Sequence, residues 1–393
     1  MLTAYQNSDY LAVRILAPGE GGATKPIRIA FLVDVSDSMN GERLTCVKRT
    51  LHAARGLFAE GDRITMVTFG SAAAVLANNT GYDGLDEFYR LVDGLTTAGG
   101  TNLSAGIEKL ASLGSGFPGS SGSSGSGSYD SIVLLTDGQI NQGVVSTTAL
   151  GGMMTAVSSS PVTALGYGPD HNQILMRDLG LRSRGSYIYV DSESMMPAAM
   201  GDLIGGLRTE VLQRVTLRVP VGLDCCEYSG GGASYFVGSI VPDRDYWTVF
   251  RKRAGVTEVT PIELISLGHS ETLTWCAVSD CYDLKEQVLR CQVSSAILIG
   301  DKNLVDALTD EIRAMAAEFQ ARPLVVNMLG QLIEFAEMSL RPPAPANLAR
   351  AISGAAYLSV QRGLPPAGET NTFSSPRQRQ TSRQTQVVYD EAE

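Results

Sequence analysis

One stretch limits what this chain can fold into: the apolar run Ile29–Val33 ends abruptly at Asp34. A continuous apolar run of this kind is typical of a strand that is buried on both faces in the middle of a parallel sheet. Two hydroxyl side chains, Ser36 and Ser38, follow the acid at alternate positions. Because open α/β sheets bind ligands beyond the carboxyl ends of their strands, we expect a functional site in this loop.

Further oxygen donors follow at two later points in the chain. Thr101 comes directly after two glycines at the head of a predicted helix, and Asp137 follows a second apolar strand in the sequence Thr-Asp-Gly. Hard divalent cations such as Mg²⁺ prefer oxygen ligands and keep several waters. The candidate metal ligands are therefore Asp34, Ser36, Ser38, Thr101 and Asp137. The alternative is that they are only helix caps and turn residues, although a ligand at a helix start can fill both roles.

The ordered set Asp-x-Ser-x-Ser, Thr and Thr-Asp-Gly resembles the von Willebrand factor A domain, including its metal-ion-dependent adhesion site. The resemblance implies a Rossmann-like, doubly wound α/β fold with a mainly parallel sheet. It also implies that the three hydroxyls contact the ion and that the two carboxylates contact it directly or through water. One coordination position then stays open for a carboxylate from a partner.

The expected ion is Mg²⁺, because hydroxyls and waters around one or two carboxylates suit it better than the carboxylate-rich cages typical of Ca²⁺. Another divalent cation, such as Ca²⁺ or Mn²⁺, stays open. Asp37 departs from the glycine or small residue often found at its position in the family. Its charge either weakens an acidic ligand or strengthens cation binding. We also expect surface loops to carry Asp34 and Thr101, so that replacing either by alanine leaves the fold intact.

Changes of pattern along the chain predict successive segments: an N-terminal strand (1–26), the doubly wound domain (27–213), an accessory β-sandwich (214–300), a C-terminal helical segment (301–362) and a disordered tail (363–393). The β-sandwich is predicted from period-two alternation, with Val288–Val293 as one of its strands. By resemblance to intracellular A-domain proteins, the N-terminal strand is expected to pair with that β-domain. A Gly- and Ser-rich stretch at 114–128 predicts a flexible surface loop.

Composition narrows the classes of function. A net charge of −10 argues against binding nucleic acid through an overall basic field. The sequence shows neither a secretory signal pattern nor an apolar run long enough for a membrane span, so we expect a cytoplasmic, intracellular protein. The six cysteines include no Cys-x₂-Cys pair. We therefore expect reduced thiols rather than a zinc site or a disulfide framework.

By resemblance, the predicted function is a metal-dependent adhesion or scaffold module, which binds an Asp or Glu carboxylate of a protein partner through the cation. The sequence carries no P-loop, RING set or catalytic triad, so we expect no enzymatic activity and no catalytic residues. His171 is interpreted as a cap or loop residue. Two alternatives stay open: a structural component of a large assembly such as a virion or surface layer, and a non-catalytic subunit of an ATPase or ubiquitin-ligase complex. The oligomeric state also stays open.

Overall fold

The protein consists of two compact units in the part of the chain that the structure, a computed structural model, describes. The described residues are 2–16, 25–114, 129–157, 160–167, 171–183, 185–190, 195–227, 233–242, 244–257, 259–266, 268–274, 276–278, 281–338, 351–352 and 355. One unit holds residues 25–208, and the other holds residues 2–16 with those from 209 to 355. The predicted flexible segment beyond Gly114 and the predicted disordered tail lie outside the described residues.

Strands and helices are interspersed along the unit of residues 25–208, whereas strands precede helices in the other unit. The strands are β1 (Leu2–Gln6), β2 (Tyr10–Leu16), β3 (Arg28–Asp34), β4 (Arg63–Phe69), β5 (Ala73–Thr80), β6 (Ser131–Thr136), β7 (Val162–Tyr167), β8 (Ser186–Val190), β9 (Leu212–Arg218), β10 (Leu223–Cys225), β11 (Ser234–Ile240), β12 (Asp245–Lys252), β13 (Ile262–Ser266), β14 (His269–Leu273) and β15 (Ala277–Val278). The helices are α1 (Glu42–Ala53), α2 (Leu85–Asp93), α3 (Leu103–Gly114), α4 (Thr147–Val157), α5 (Gln173–Arg182), α6 (Met195–Arg208), α7 (Tyr282–Ile299), α8 (Lys302–Ala314), α9 (Ala317–Gln320) and α10 (Pro323–Met338).

The unit of residues 25–208 is built on a six-stranded sheet in the order β5-β4-β3-β6-β7-β8. Every neighbouring pair in it is parallel except β4 with β5. Strands β6, β7 and β8 are buried at every position, as strands covered by helices on both faces are. Each fully buried Val, Leu, Ile or Phe contributes about 1.5–3 kcal/mol. The predicted doubly wound, mainly parallel fold is confirmed.

The strand order reverses between β3 and β6. From β3 the chain adds β4 and β5 on one side, and it then returns to add β6, β7 and β8 on the other. The connections at such a switch point leave in opposite directions, which opens a crevice beyond the carboxyl ends of the two central strands. The register pairs Val33 of β3 with Leu135 of β6, so the ends of these strands lie side by side.

The second unit contains two further sheets, in the orders β10-β12-β2-β1-β15 and β11-β9-β13-β14. Most of their pairs are antiparallel, and β1 with β15 is the parallel exception. Apolar residues of both sheets, including Leu11 and Val13 of β2 and Leu217 of β9, form one hydrophobic cluster. The predicted N-terminal strand is β2, which pairs with β12 from Leu16↔Asp245 to Tyr10↔Arg251.

The prediction of a strand at Val288–Val293 is wrong, because these residues lie inside α7. A short apolar stretch fits both periods, so alternation over six residues does not distinguish a strand from a helix. In the helix, Leu289, Val293 and Ile297 form the buried stripe with α8 and α10. The β-strands of this unit therefore end at Val278 among the described residues, before the predicted boundary at 300.

Helices follow α7, as the 301–362 pattern predicts. The N-cap of α8 is Asp301, whose side chain accepts a hydrogen bond from the Leu304 N–H. In the last part of the predicted helical segment, residues 347–362, only residues 351–352 and 355 are described, and these are helical. None of the helices among the described residues is both long and apolar enough to cross a membrane.

Candidate metal centre

The candidate ligands lie at the switch point of the central sheet. Asp34 is the last residue of β3, and Asp137 directly follows β6. Ser36 and Ser38 belong to the loop after Asp34, and Thr101 stands just before α3. Backbone hydrogen bonds join these loops, because the Ala98 N–H donates to the Val35 carbonyl at 2.8 Å.

Asp34 is completely buried, and both of its carboxylate oxygens accept hydrogen bonds. Oδ1 accepts from the Ser36 N–H at 2.9 Å, and Oδ2 accepts from the Thr136 hydroxyl. Burial raises the pKa of Asp34 to about 6, against the hydrogen bonds from Ser36 and Thr136, and the charge of Asp137 adds to the rise. Two buried carboxylates that repel one another favour a cation between or beside them.

The loop hydroxyls are held close together by a tight turn. Ser36 Oγ and Ser38 Oγ are 3.1 Å apart. The turn closes through a hydrogen bond from the Met39 N–H to the Ser36 carbonyl at 3.0 Å, and the Met39 side chain is fully buried. The buried Met39 side chain therefore anchors the turn, and the turn holds the two hydroxyls next to each other.

Asp37 has a structural partner that the sequence did not indicate. Its Oδ1 accepts a hydrogen bond from the Gly99 N–H at 3.0 Å, and its own N–H donates to the Gly99 carbonyl at 2.9 Å. Gly99 adopts a φ of +76°, a conformation that L side chains rarely adopt. The exposed Asp37 carboxylate thus links the Ser36–Ser38 loop to the segment that carries Thr101, besides adding charge at the rim.

Thr101 is linked to the third loop through Asn141. The Thr101 N–H donates to Asn141 Oδ1 at 2.9 Å, and the Thr101 carbonyl accepts from the N–H groups of Asn141 and Gln142, both at 3.2 Å. The helix cap beside it is Asn102, whose Oδ1 accepts from the Ala105 N–H at 3.1 Å. Sequence reasoning missed Asn141, although an amide shortly after Thr-Asp-Gly was available as a signal.

Asp137 is paired with an arginine that sequence reasoning also missed. Arg43 Nη1 donates to Asp137 Oδ2 at 2.7 Å and to the Ser38 carbonyl at 3.1 Å. The Asp137 side chain is 0% exposed, and that of Arg43 is 25% exposed. A basic residue at the start of α1 was the available signal, since helix N-termini favour acids.

Two of the expectations about exposure are wrong. Asp34 and Thr101 were expected on surface loops, yet their exposed fractions are 0% and 1%. The loops themselves reach the surface, but these two side chains point inward to tie them together. His171, expected as a cap or loop residue, does lie in the loop before α5. It is also buried: Nε2 faces the Tyr187 hydroxyl at 2.5 Å, and the ring stacks on Tyr189. The cap of α5 is Asn172, whose Oδ1 accepts from the Leu175 N–H.

A surface pocket of about 550 Å³ adjoins the candidate ligands. Ser38 and Thr101 line it together with Asn141 and Gln142, and Asp37 is the one charged residue among its lining residues. The wall is therefore rich in neutral hydrogen-bonding groups, which suit a polar ligand.

The donor set fits a hard divalent ion. It offers oxygen only, from two carboxylates and three hydroxyls, the chemistry that Mg²⁺ and similar ions prefer. Among the described residues, no group of three or more His, Cys, Asp or Glu side chains is placed to hold a metal. A cation at this edge would consequently depend on the hydroxyls as much as on the carboxylates.

Residues 29–200 match the family described as von Willebrand factor type A domain. Two curated relatives match part of the chain. The uncharacterized protein YfbK of Escherichia coli (strain K12) is 27% identical over 190 residues, which cover 47% of this chain and 32% of YfbK. The E3 ubiquitin-protein ligase WAV3 of Arabidopsis thaliana is 28% identical over 228 residues, which cover 55% of this chain and 27% of WAV3. The chain thus spans about a third or less of the length of these relatives.

A solved structure resembles almost the whole chain. The von Willebrand factor type A protein from Catenulispora acidiphila superposes with a TM-score of 0.58, covering 99% of this chain and 95% of that one at 12% identity. At that identity the likeness concerns the fold alone. It extends over the sheets and helices that follow the α/β domain as well as over the domain itself.

Proposed function

Because residues 29–200 form a von Willebrand factor type A domain, we propose that this chain is a metal-dependent protein-interaction module. Domains of this family mediate protein–protein interactions. In the proposal a divalent cation, Mg²⁺ for preference, is held by Asp34, Ser36, Ser38, Thr101 and Asp137. The partner presents an Asp or Glu carboxylate to that ion.

The observation that carries the proposal is the convergence of two fully buried carboxylates at the switch point. Asp34 ends β3, Asp137 follows the neighbouring strand β6, and each is 0% exposed. Burying two negatively charged carboxylates near each other costs free energy unless a cation or hydrogen bonds offset that cost. The hydroxyls of Ser36 and Ser38 lie in the loop that follows Asp34, 3.1 Å from each other. Ser38 also lines the surface pocket.

Within this arrangement the protein groups have separate tasks. Asp34 and Asp137 would supply the negative charge, and the hydroxyls would supply neutral oxygen ligands. A bound divalent ion supplies an electrophilic centre that attracts a carboxylate. The links from Asp37 to Gly99 and from Thr101 to Asn141 hold the three loops in register. Amide groups of the pocket wall can donate hydrogen bonds to the polypeptide around the partner's acidic residue.

These groups bind and orient, so we propose a role in binding rather than catalysis. A second candidate is a non-catalytic subunit of a ubiquitin-ligase complex, favoured by the match to WAV3. The match covers 27% of that ligase, so it concerns a domain and not the whole protein. The same metal site would serve that role, as it would in an ATPase complex, a virion or a surface layer. Identification of the captured partner distinguishes these settings.

The test combines calorimetry with partner capture. We expect the wild-type chain to bind Mg²⁺ and to capture a partner that EDTA releases and added Mg²⁺ restores. Because Asp34 and Thr101 are buried, the variants are the near-isosteric Asp34→Asn and Thr101→Val, which remove a charge and a hydroxyl with little change of volume. Both should lose Mg²⁺ binding and capture while keeping a cooperative unfolding transition.

The matched control is Asp86→Asn, which removes the same charge from a carboxylate on α2 whose side chain is 89% exposed. It should behave like the wild type in both measurements. Absence of Mg²⁺ binding at millimolar concentration, or capture that chelation leaves unchanged, would contradict the proposal. The residues at the switch point would then be caps and loop linkers only.

A further inference from the structure

A protein cation already occupies one of the carboxylates proposed to hold the metal. Arg43 Nη1 lies 2.7 Å from Asp137 Oδ2, in a charge-assisted hydrogen bond. The other oxygen, Oδ1, accepts a hydrogen bond from the Gln139 N–H at 3.2 Å. The fully buried carboxylate therefore has a charged partner among the side chains of the protein itself.

The position of Arg43 in its helix is unusual for a basic residue. It stands in the first turn of α1, where the partial positive charge of the helix terminus disfavours another cation. Its guanidinium turns instead towards the sheet edge and also donates to the Ser38 carbonyl at 3.1 Å. One side chain thus bridges the loop of Ser36 and Ser38 to the residue that follows β6.

A divalent ion and this guanidinium cannot share Asp137 without cost. Both are cations, and like charges a few ångströms apart repel strongly where burial limits screening by water. Ser38 carries a proposed ligand hydroxyl and its carbonyl is an Arg43 acceptor, so the two cations would meet at two residues.

We propose that Arg43 is a tethered counter-ion that neutralises Asp137 in the metal-free protein and gives way when a divalent ion binds. The inference rests on the proposed metal site and deepens it. Arg43 sets the affinity of the site for the ion, and it keeps the loops together when no ion is present. The metal-free protein is accordingly stable, and the metal binds more weakly than its oxygen ligands alone would allow.

The experiment is calorimetric titration of the full chain with MgCl₂, together with thermal unfolding in EDTA and in excess Mg²⁺. Arg43→Gln removes the charge and retains a hydrogen-bond donor. We expect this variant to bind Mg²⁺ at least about tenfold more tightly than the wild type, because a repelling charge has gone. Its melting temperature in EDTA should be lower than that of the wild type, and the increase in melting temperature on adding Mg²⁺ should be larger.

Two control variants separate charge from shape. Arg43→Lys retains the charge, so its affinity for Mg²⁺ should be closer to that of the wild type than the affinity of Arg43→Gln is. Arg49→Gln removes the same charge from an exposed position on the same helix, and it should match the wild type in both measurements. Should Arg43→Gln fail to fold in EDTA, the Arg43 side-chain NMR signal of the wild type, assigned with the lysine variant, should shift as Mg²⁺ is added.

The outcomes distinguish this inference from the proposed function. If Arg43→Gln binds Mg²⁺ no more tightly than the wild type, or if the Arg43 NMR signal does not shift when Mg²⁺ is added, the counter-ion role of Arg43 is wrong. The proposed metal site is not contradicted by either result. Absence of Mg²⁺ binding in every variant overturns both. Binding by Arg43→Gln alone overturns the proposed function of the wild-type chain, and with it the inference that Arg43 gives way to the ion.

Discussion

Arg290 is a fully buried arginine whose charge is met by a buried acid. Its Nη2 pairs with Glu227, and its Nε donates to Gln287 Oε1 at 2.7 Å. The side chains of Arg290 and Glu227 are 0% and 2% exposed. Burial raises the pKa of Glu227, and the charge of Arg290 counteracts that rise. The pair joins α7 to the chain just after β10, within the second unit.

The first prediction is that Arg290→Met destabilises the chain by about 3–5 kcal/mol, because it leaves Glu227 buried without its counter-ion. The variant should also depend differently on pH. An acid whose pKa is higher in the folded state binds more protons there, so stability falls as pH rises from its ordinary value of 4.5 through the raised pKa. Loss of Arg290 raises that pKa further, so the deficit should be larger at about pH 8 than at about pH 5.

Denaturant unfolding at both pH values measures these effects, with Arg313→Met as the exposed control on α8. A second variant, Glu227→Leu combined with Arg290→Met, removes both charges and should recover much of the loss. A double variant as unstable as the single one at either pH would show that packing, rather than an uncompensated charge, explains the deficit.

At the scale of elements, β2 lies at the centre of its sheet although it comes from the N-terminal end of the chain. It pairs with β1 on one side and with β12 on the other. Its residues Leu11, Ala12 and Val13 are completely buried. Removal of β2 would therefore expose the pairing edge of β12 together with part of the core.

The second prediction is that deletion of residues 2–16 unfolds or strongly destabilises the sheets of the second unit. Tryptophan fluorescence reports on it selectively, because Trp247 belongs to this unit and residues 25–208 of the other unit include no tryptophan. The ring centroids of Trp247 and Tyr5 are 5.6 Å apart, and the deletion removes Tyr5. Deletion of residues 363–393 is the control. A truncated chain whose fluorescence melts with the wild-type midpoint would contradict the prediction.

At the scale of the whole molecule, the α/β unit closes upon itself. The Lys25 N–H donates to the Arg208 carbonyl at 3.4 Å, so its two ends meet. Arg208 forms an ion pair with Asp62, whose side chain is 3% exposed and whose Oδ1 also accepts from the Ile27 N–H at 2.9 Å. A unit with adjoining ends and its own core has the features of an independent domain.

The third prediction is that a fragment of residues 25–208 folds cooperatively on its own and keeps the divalent site. Mg²⁺ at 100 times its dissociation constant should stabilise it by about 2.7 kcal/mol. Thermal unfolding followed by circular dichroism in EDTA and in Mg²⁺ measures this shift, with the Asp34→Asn fragment as control. The modular view fails if the fragment is unfolded, or if only the full-length chain responds to Mg²⁺.

The pattern of residues along the chain was sufficient to predict the fold of the α/β domain and the position of its candidate site. Strands buried on both faces have nearly continuous apolar sequences, so the runs ending at Asp34 and before Asp137 identified the central strands. Polar residues directly after such runs must lie at the carboxyl edge of the sheet, whatever the loops do. Local pattern therefore sufficed for the architecture and for which residues gather there.

The hydrogen-bond partners of those residues are visible in the three-dimensional structure and not in the sequence. Arg43 meets Asp137, Asp37 meets Gly99 and Thr101 meets Asn141, in each case across loops distant in sequence. The structure also decided that Asp34 and Thr101 are buried and that residues 288–293 are helical. The periodicity of apolar residues shows which side chains near one another in sequence share a face of a helix or strand. Hydrogen-bond partners, burial of a loop side chain and the choice between two periods in a short stretch depend on what packs against it.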